Sequence, residues 1–121
     1  MRYVDGFVLP VPTKNLAAYK RMASVAAKVW KDHGALDYME CVIEDANAGA
    51  GYALPFPKMV KPKPGETIIF AFIIYKSRAH RDRVNAKVMK DKRMECPPKD
   101  MPFDCKRMAY GGFAGLVEAK A

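Results

Sequence analysis

Cysteine is scarce in this chain. The three present are an odd number, one in a strand-like segment (Cys41) and two in a loop-rich tail (Cys96, Cys105), so no disulfide framework is implied. Free thiols are the expectation, with a Cys96 to Cys105 bridge as the alternative. Spacing of the CxxC kind is absent and the two histidines, His33 and His80, lie far apart in the sequence; no metal site and no cofactor are expected. Long apolar runs are missing too. Nothing approaches the roughly 20 residues that cross a bilayer, and the N-terminus lacks the charged-then-apolar pattern of a secretory signal. A cytoplasmic protein with no membrane partner is therefore expected. Acidic residues are few, with 13 Asp and Glu against 21 Lys and Arg and a formal net charge of +8. That balance favours anionic partners without choosing among nucleic acid, acidic metabolites and membrane surfaces.

What is present centres on residues 66–91, where the apolar run ETIIFAFIIY is followed at once by the charged run KSRAHRDRVNAKVMKD. Between positions 67 and 75 nearly every residue is β-branched or aromatic, and the run is too short for a buried helix, so a strand is predicted. One face carries Ile68, Phe70, Phe72 and Ile74, the other Ile69, Ala71, Ile73 and Tyr75. Both need cover, yet the predicted helices make only one layer. Four large apolar side chains at roughly 1.5–3 kcal/mol each leave about 6–12 kcal/mol of unused burial on the bare face. That is comparable with the whole stability of a domain. Half of the 121 residues are hydrophobic, enough for a single domain over residues 1–121.

In chain order, residues 3–9 alternate as a strand that Pro10 and Pro12 are expected to end, since proline donates no ladder hydrogen bond. Thr13 is the expected N-cap of a helix over 14–33, with Leu16, Tyr19, Ala23, Ala26 and Trp30 as its apolar stripe and Lys20, Ser24, Lys28 and Lys31 in water. Gly34 fits a left-handed C-cap, and His33 is read as a helix-end residue. A second strand is expected over 35–44, beside the first, with Tyr38, Glu40 and Val42 on one face. Residues 45–65 read as a long excursion with a short strand near Met59 and Val60. Ser77 is the natural N-cap of the second helix. On that helix His80, Arg83, Lys87 and Lys90 form a basic stripe, while Val84, Val88 and Met89 share the packed side with Arg81 and Asn85, polar groups that need partners there. Residues 92–112 are irregular because of Pro97, Pro98 and Pro102, with Met101, Phe103, Met108 and Tyr110 packing the segment down. Gly111 and Gly112 are expected to form the turn before a last strand over 113–119.

The order β, α, β, β, α, β predicts an α+β fold of the ferredoxin-like, split βαβ kind: a four-stranded antiparallel sheet with both helices on one face. Two such sheets meeting face to face would give a dimeric α/β barrel, so a homodimer is expected. The stretches YVDGF at 3–7, EC at 40–41 and SRAHRDRVNAKVM at 77–89, with MPFD, KRM and GGF between 101 and 113, resemble the YbaA-like family of small bacterial proteins of unknown function, within the dimeric α/β-barrel superfamily. The resemblance covers nearly the whole chain. It implies the fold and no activity. Superfamily relatives include cofactor-independent monooxygenases, haem-degrading enzymes and isomerases that use a cavity between sheet and helices, an analogy of fold and not of chemistry.

No catalytic or cofactor motif stands above chance, and whether the chain is an enzyme is left open. The leading expectation is that it binds or transforms a small apolar or anionic molecule in such a cavity. Asp5, Glu40 and His80 are the candidate catalytic groups, and Tyr3, Arg81, Asn85, Arg107 and Tyr110 the candidate ligand contacts. A carboxylate in an apolar cavity has its charged form disfavoured unless it is paired, which suits it to proton transfer. The competing structural reading has Asp5 and Glu40 satisfied by Arg81, Arg107 or backbone donors. An alternative function is a module for RNA or another polyanion through Arg83, Lys87 and Lys90 together with Lys58, Lys61 and Lys63, although RNP-type aromatic motifs are missing. A third is a structural or regulatory dimer whose cavity is filled.

Overall fold

The computed structural model describes residues 1–49 and 51–121; Ala50, inside the 45–65 excursion, lies outside the described residues. The fold is α+β. Its strands are β1 (Tyr3–Pro12), β2 (Asp37–Val42), β3 (Glu66–Tyr75) and β4 (Ala109–Ala114), and its helices α1 (Leu16–Asp32), α2 (Phe56–Val60) and α3 (Arg78–Met89). The strands form one open antiparallel sheet in the order β2-β3-β1-β4. Among the described residues no helix is long and apolar enough to cross a membrane.

The period-2 pattern of β1 and β3 sets the register, Leu9 opposite Ile69 and Asp5 opposite Ile73, so one face of the sheet carries Leu9, Val11, Ile69, Ala71, Ile73 and Tyr75. All six are buried, beneath the α1 stripe Tyr19, Ala23, Ala26 and Val29 and the α3 pair Val84 and Val88. Lys20, Ser24, Lys28 and Lys31 are exposed, as the helical spacing predicts. The opposite face is only partly covered. Phe56 of α2 lies against Phe70, ring centroids 6.4 Å apart, but Met39, Phe70 and Phe113 remain 53%, 44% and 60% exposed.

Several boundaries differ from the sequence reading. The strand β1 runs through Pro10 and Pro12 because β4 pairs only with Tyr3 to Val8; beyond Val8 the strand is an edge, which tolerates residues without an N–H. The strand β2 lies beside β3 and not beside β1, since the α1 crossover leaves a gap one strand wide that β3 fills. Thr13 does not cap α1: it opens a single 3-10 turn, and its N–H donates to the Gly65 carbonyl at 2.8 Å. Met59 and Val60 are helical, because Pro55 at the N-cap and Pro57 just inside pre-set the first turn of α2. Met89, expected on the packed side of α3, is 71% exposed. The last strand is displaced toward the N-terminus, and Gly111 and Gly112 lie within it, opposite Gly6 and Asp5. The Ser77 cap holds, with its Oγ accepting from the His80 N–H at 3.1 Å.

Candidate functional site

Small side chains on facing walls leave a hollow. Ala23 and Ala26 of α1 look across at Ala71 of β3, and between them lies a cavity of about 400 Å³, partly covered by Met94, Cys96, Met101, Phe103 and Met108. The irregular segment after α3 is thus its roof, and Phe103 fixes part of that roof by meeting the Tyr19 ring edge-on at 5.6 Å. Tyr110 sits to one side, stacked on Phe7 at 4.9 Å.

The lining is apolar apart from Arg93 and Glu95 in the roof segment and Glu40, the carboxylate of the sheet wall. Strand alternation places Tyr38 on the same face two residues earlier, and its hydroxyl donates to Glu40 Oε2 at 2.6 Å. The Tyr19 hydroxyl, one turn into α1, donates to Oε1. Burial, and then the hydrogen bond to Glu40, push both phenols well above the usual tyrosine range. A second hollow of about 520 Å³ lies on the other side, along the edge between β2 and α1. Tyr19, Ala23, Tyr38 and Glu40 line both.

The other candidate residues fall elsewhere. Asp5, 1% exposed, accepts from Arg81 Nη1 at 2.9 Å, and the same nitrogen donates to the Tyr110 hydroxyl at 2.6 Å. The Arg81 guanidinium also lies 5.0 Å from the centre of the Tyr3 ring. Asn85 Oδ1 accepts from Trp30 Nε1 at 3.1 Å and from the Tyr75 hydroxyl at 3.3 Å, and Trp30 Nε1 reaches the Tyr75 oxygen at 3.0 Å. His80 caps the end of β3 through the Lys76 N–H, 3.0 Å from its Nδ1, and packs edge-on against Tyr75. Burial, with Lys76 and Arg83 nearby, lowers its pKa. Arg107 pairs with Glu66 at 2.7 Å and holds that carboxyl below its usual range. None of Tyr3, Asp5, His80, Arg81, Asn85, Arg107 or Tyr110 lines the cavity. The network reading holds for Asp5 with Arg81, while Glu40 has tyrosine partners and no arginine. Arg83 and Lys87 on α3 and Lys90 just after it are exposed over one face of the sheet, whereas Lys58 in α2 and Lys61 and Lys63 just after it belong to the segment that packs on the other. The two basic sets do not form one surface.

Tyr19, Tyr38 and Arg93 were not singled out as site residues by sequence reasoning. Both tyrosines look like core aromatics, and the signal for Tyr38 was its alternation with Glu40. Arg93 donates to Asp32 at 2.8 Å and to Asp91 at 2.7 and 3.0 Å, and His33 Nε2 lies 2.8 Å from the same Asp91. This cluster ties the start of the roof to the ends of α1 and α3. Arg93, and then His33, hold the Asp91 carboxyl well below the usual range. Among the described residues no group of three or more His, Cys, Asp or Glu is placed to hold a metal ion.

A family profile described as DUF1428, protein of unknown function, matches residues 2–105. The uncharacterized protein YbaA of Escherichia coli strain K12 is 42% identical over 118 residues, spanning 98% of this chain and 99% of that one. The protein of the same description from Shigella flexneri gives the same figures.

Proposed function

The chain belongs to the DUF1428 family, whose function is unknown, and from that premise we propose that it binds a small, largely apolar molecule in the roofed cavity, with Glu40 meeting the molecule's polar end. The observation that carries this reading is a carboxylate with two phenol partners on the sheet wall of a hollow of about 400 Å³ that is apolar apart from Arg93 and Glu95 in its roof. Sites for small molecules are concave, mostly apolar and supplied with few polar groups. Glu40 is also within reach of a proton on anything seated there, the geometry that general-base chemistry requires. The anionic half of the sequence expectation has less support, since Glu40 and Glu95 in the lining are negative and the one lining cation, Arg93, is already paired with Asp32 and Asp91. Titration with the neutral dye Nile red tests the proposal. Saturable binding, one site per chain, that is abolished by Ala26→Phe, which fills the hollow, is expected. Absence of saturable binding, or binding untouched by that substitution, would overturn it.

We also infer the ferredoxin-like, split βαβ topology and a dimeric α/β barrel in which two copies close each other's partly covered face. Support comes from the order β2-β3-β1-β4, in which α1 and α3 each connect parallel strands across one intervening strand. Support also comes from the apolar side chains Met39, Phe70 and Phe113 left in water.

A further inference from the structure

The hydrogen-bond accounting around the cavity is one-sided. Most strong side-chain donors in its wall are already spent: Tyr19 and Tyr38 on Glu40, Trp30 on Tyr75 and Asn85, and three of the five Arg93 N–H groups on Asp32 and Asp91. Of the backbone N–H groups in the roof, those of Met94, Glu95 and Met108 donate to the carbonyls of Asp91, Lys92 and Cys105. What remains is mostly acceptors. Each Glu40 oxygen takes one phenol and keeps a lone pair, and each phenol oxygen, having donated, can still accept. Around them stand the rings of Phe7, Trp30 and Phe103, whose π faces attract cations.

Resting on the cavity reading above, we infer that the ligand is a hydrogen-bond donor, an organic ammonium or amine with an apolar body, held by Glu40. A carboxylate or phosphate ester would meet only what is left of Arg93, a guanidinium already paired with Asp32 and Asp91, and would face the like charges of Glu40 and Glu95. An ammonium meets the opposite charge, and the pair stays hydrogen-bonded on both sides, the condition under which a buried ion pair is tolerated. A hydroxyl satisfies the same acceptors without the charge, and so ranks second.

Trp30 is the chain's single tryptophan and lines the cavity, so its emission reports occupancy. The test is a fluorescence titration of the whole protein near neutral pH with four probes of one size: 2-phenylethylammonium, 2-phenylethanol, ethylbenzene and phenylacetate. The expected order of affinity is the order given, with the ammonium roughly tenfold or more tighter than ethylbenzene and phenylacetate not binding. Glu40→Gln should erase the ammonium preference while ethylbenzene still binds. Tyr38→Phe, which frees one carboxylate lone pair and leaves the charge, should keep it. If ethylbenzene or phenylacetate binds as tightly as the ammonium, or if the preference survives Glu40→Gln, the donor inference is overturned while the cavity reading stands. If Glu40→Gln does not fold, the ranking of the four probes on the unaltered protein decides. If none of the four binds, the cavity reading falls and this inference with it.

Discussion

Asp5 and Arg81 share a pair whose side chains are 2% and 12% exposed, too dry for the attraction to be screened as a surface pair would be. Removing only the cation leaves a buried carboxylate alone, so Arg81→Met should destabilise the fold by about 3–5 kcal/mol, read from urea unfolding. Adding Asp5→Asn to that variant should recover part of the loss. The phenols of Tyr19 and Tyr38 carry a second prediction. Unfolded tyrosines release their protons near pH 10, whereas burial and Glu40 keep these two protonated in the fold beyond that. The native state therefore binds more protons above about pH 10, and stability, complete below that pH, falls as it rises further. Urea midpoints between pH 8 and 11 should show the decline, with a shallower slope in Tyr38→Phe. At this scale Arg81 and Asn85 were legible, because polar groups on the packed side of a helix demand partners. Tyr19 was not, since a tyrosine in an apolar stripe looks the same whether its hydroxyl is spent on a carboxylate or on water.

The element that sequence placed worst is β4, and its glycines explain why. Gly111 and Gly112 read as a turn, but they are flat strand positions over which rings lie: a Cβ on Gly112 would fall 2.3 Å from the Tyr3 hydroxyl, and one on Gly111 3.3 Å from the Phe113 ring. Gly112→Ala must push Tyr3 off Arg81 and should cost about 1–3 kcal/mol. Gly111→Ala meets an exposed ring free to swing and should cost less, both measured by thermal or urea unfolding. A pattern of hydrophobicity cannot register a residue chosen for the absence of a side chain. The roof segment has its own test. Asp91 is held ionised by Arg93 and His33, so its contribution is full above its unfolded pKa of about 4 and is lost as pH falls below it. Protection factors of the 92–96 amides, corrected for the slower intrinsic exchange in acid, should fall below about pH 4, and Asp91→Asn should produce the same loosening at neutral pH.

For the whole molecule, the strand β3 with two apolar faces announced the sheet and the helices on one side, and the observed α+β sheet follows from it. The partial cover supplied by α2 was hidden, because Pro55 and Pro57 read equally well as loop punctuation and as a helix start. Exposed aromatic side chains on the remaining area give the dimer inference a direct check: the protein should sediment as two chains at micromolar concentration, and Phe70→Lys or Phe113→Lys should yield single chains that remain folded by circular dichroism. A single-chain mass for the unaltered protein would remove that inference and leave the cavity intact.

Tyr19, Ala23, Tyr38 and Glu40 belong to both hollows, so the partition between them is a single layer of side chains. Trimming it, with Tyr38→Ala for instance, would join two chambers into a corridor from the β2 rim to the interior. Small molecules would then have a second way in and out, and a guest should arrive and depart faster at nearly unchanged occupancy of the first hollow.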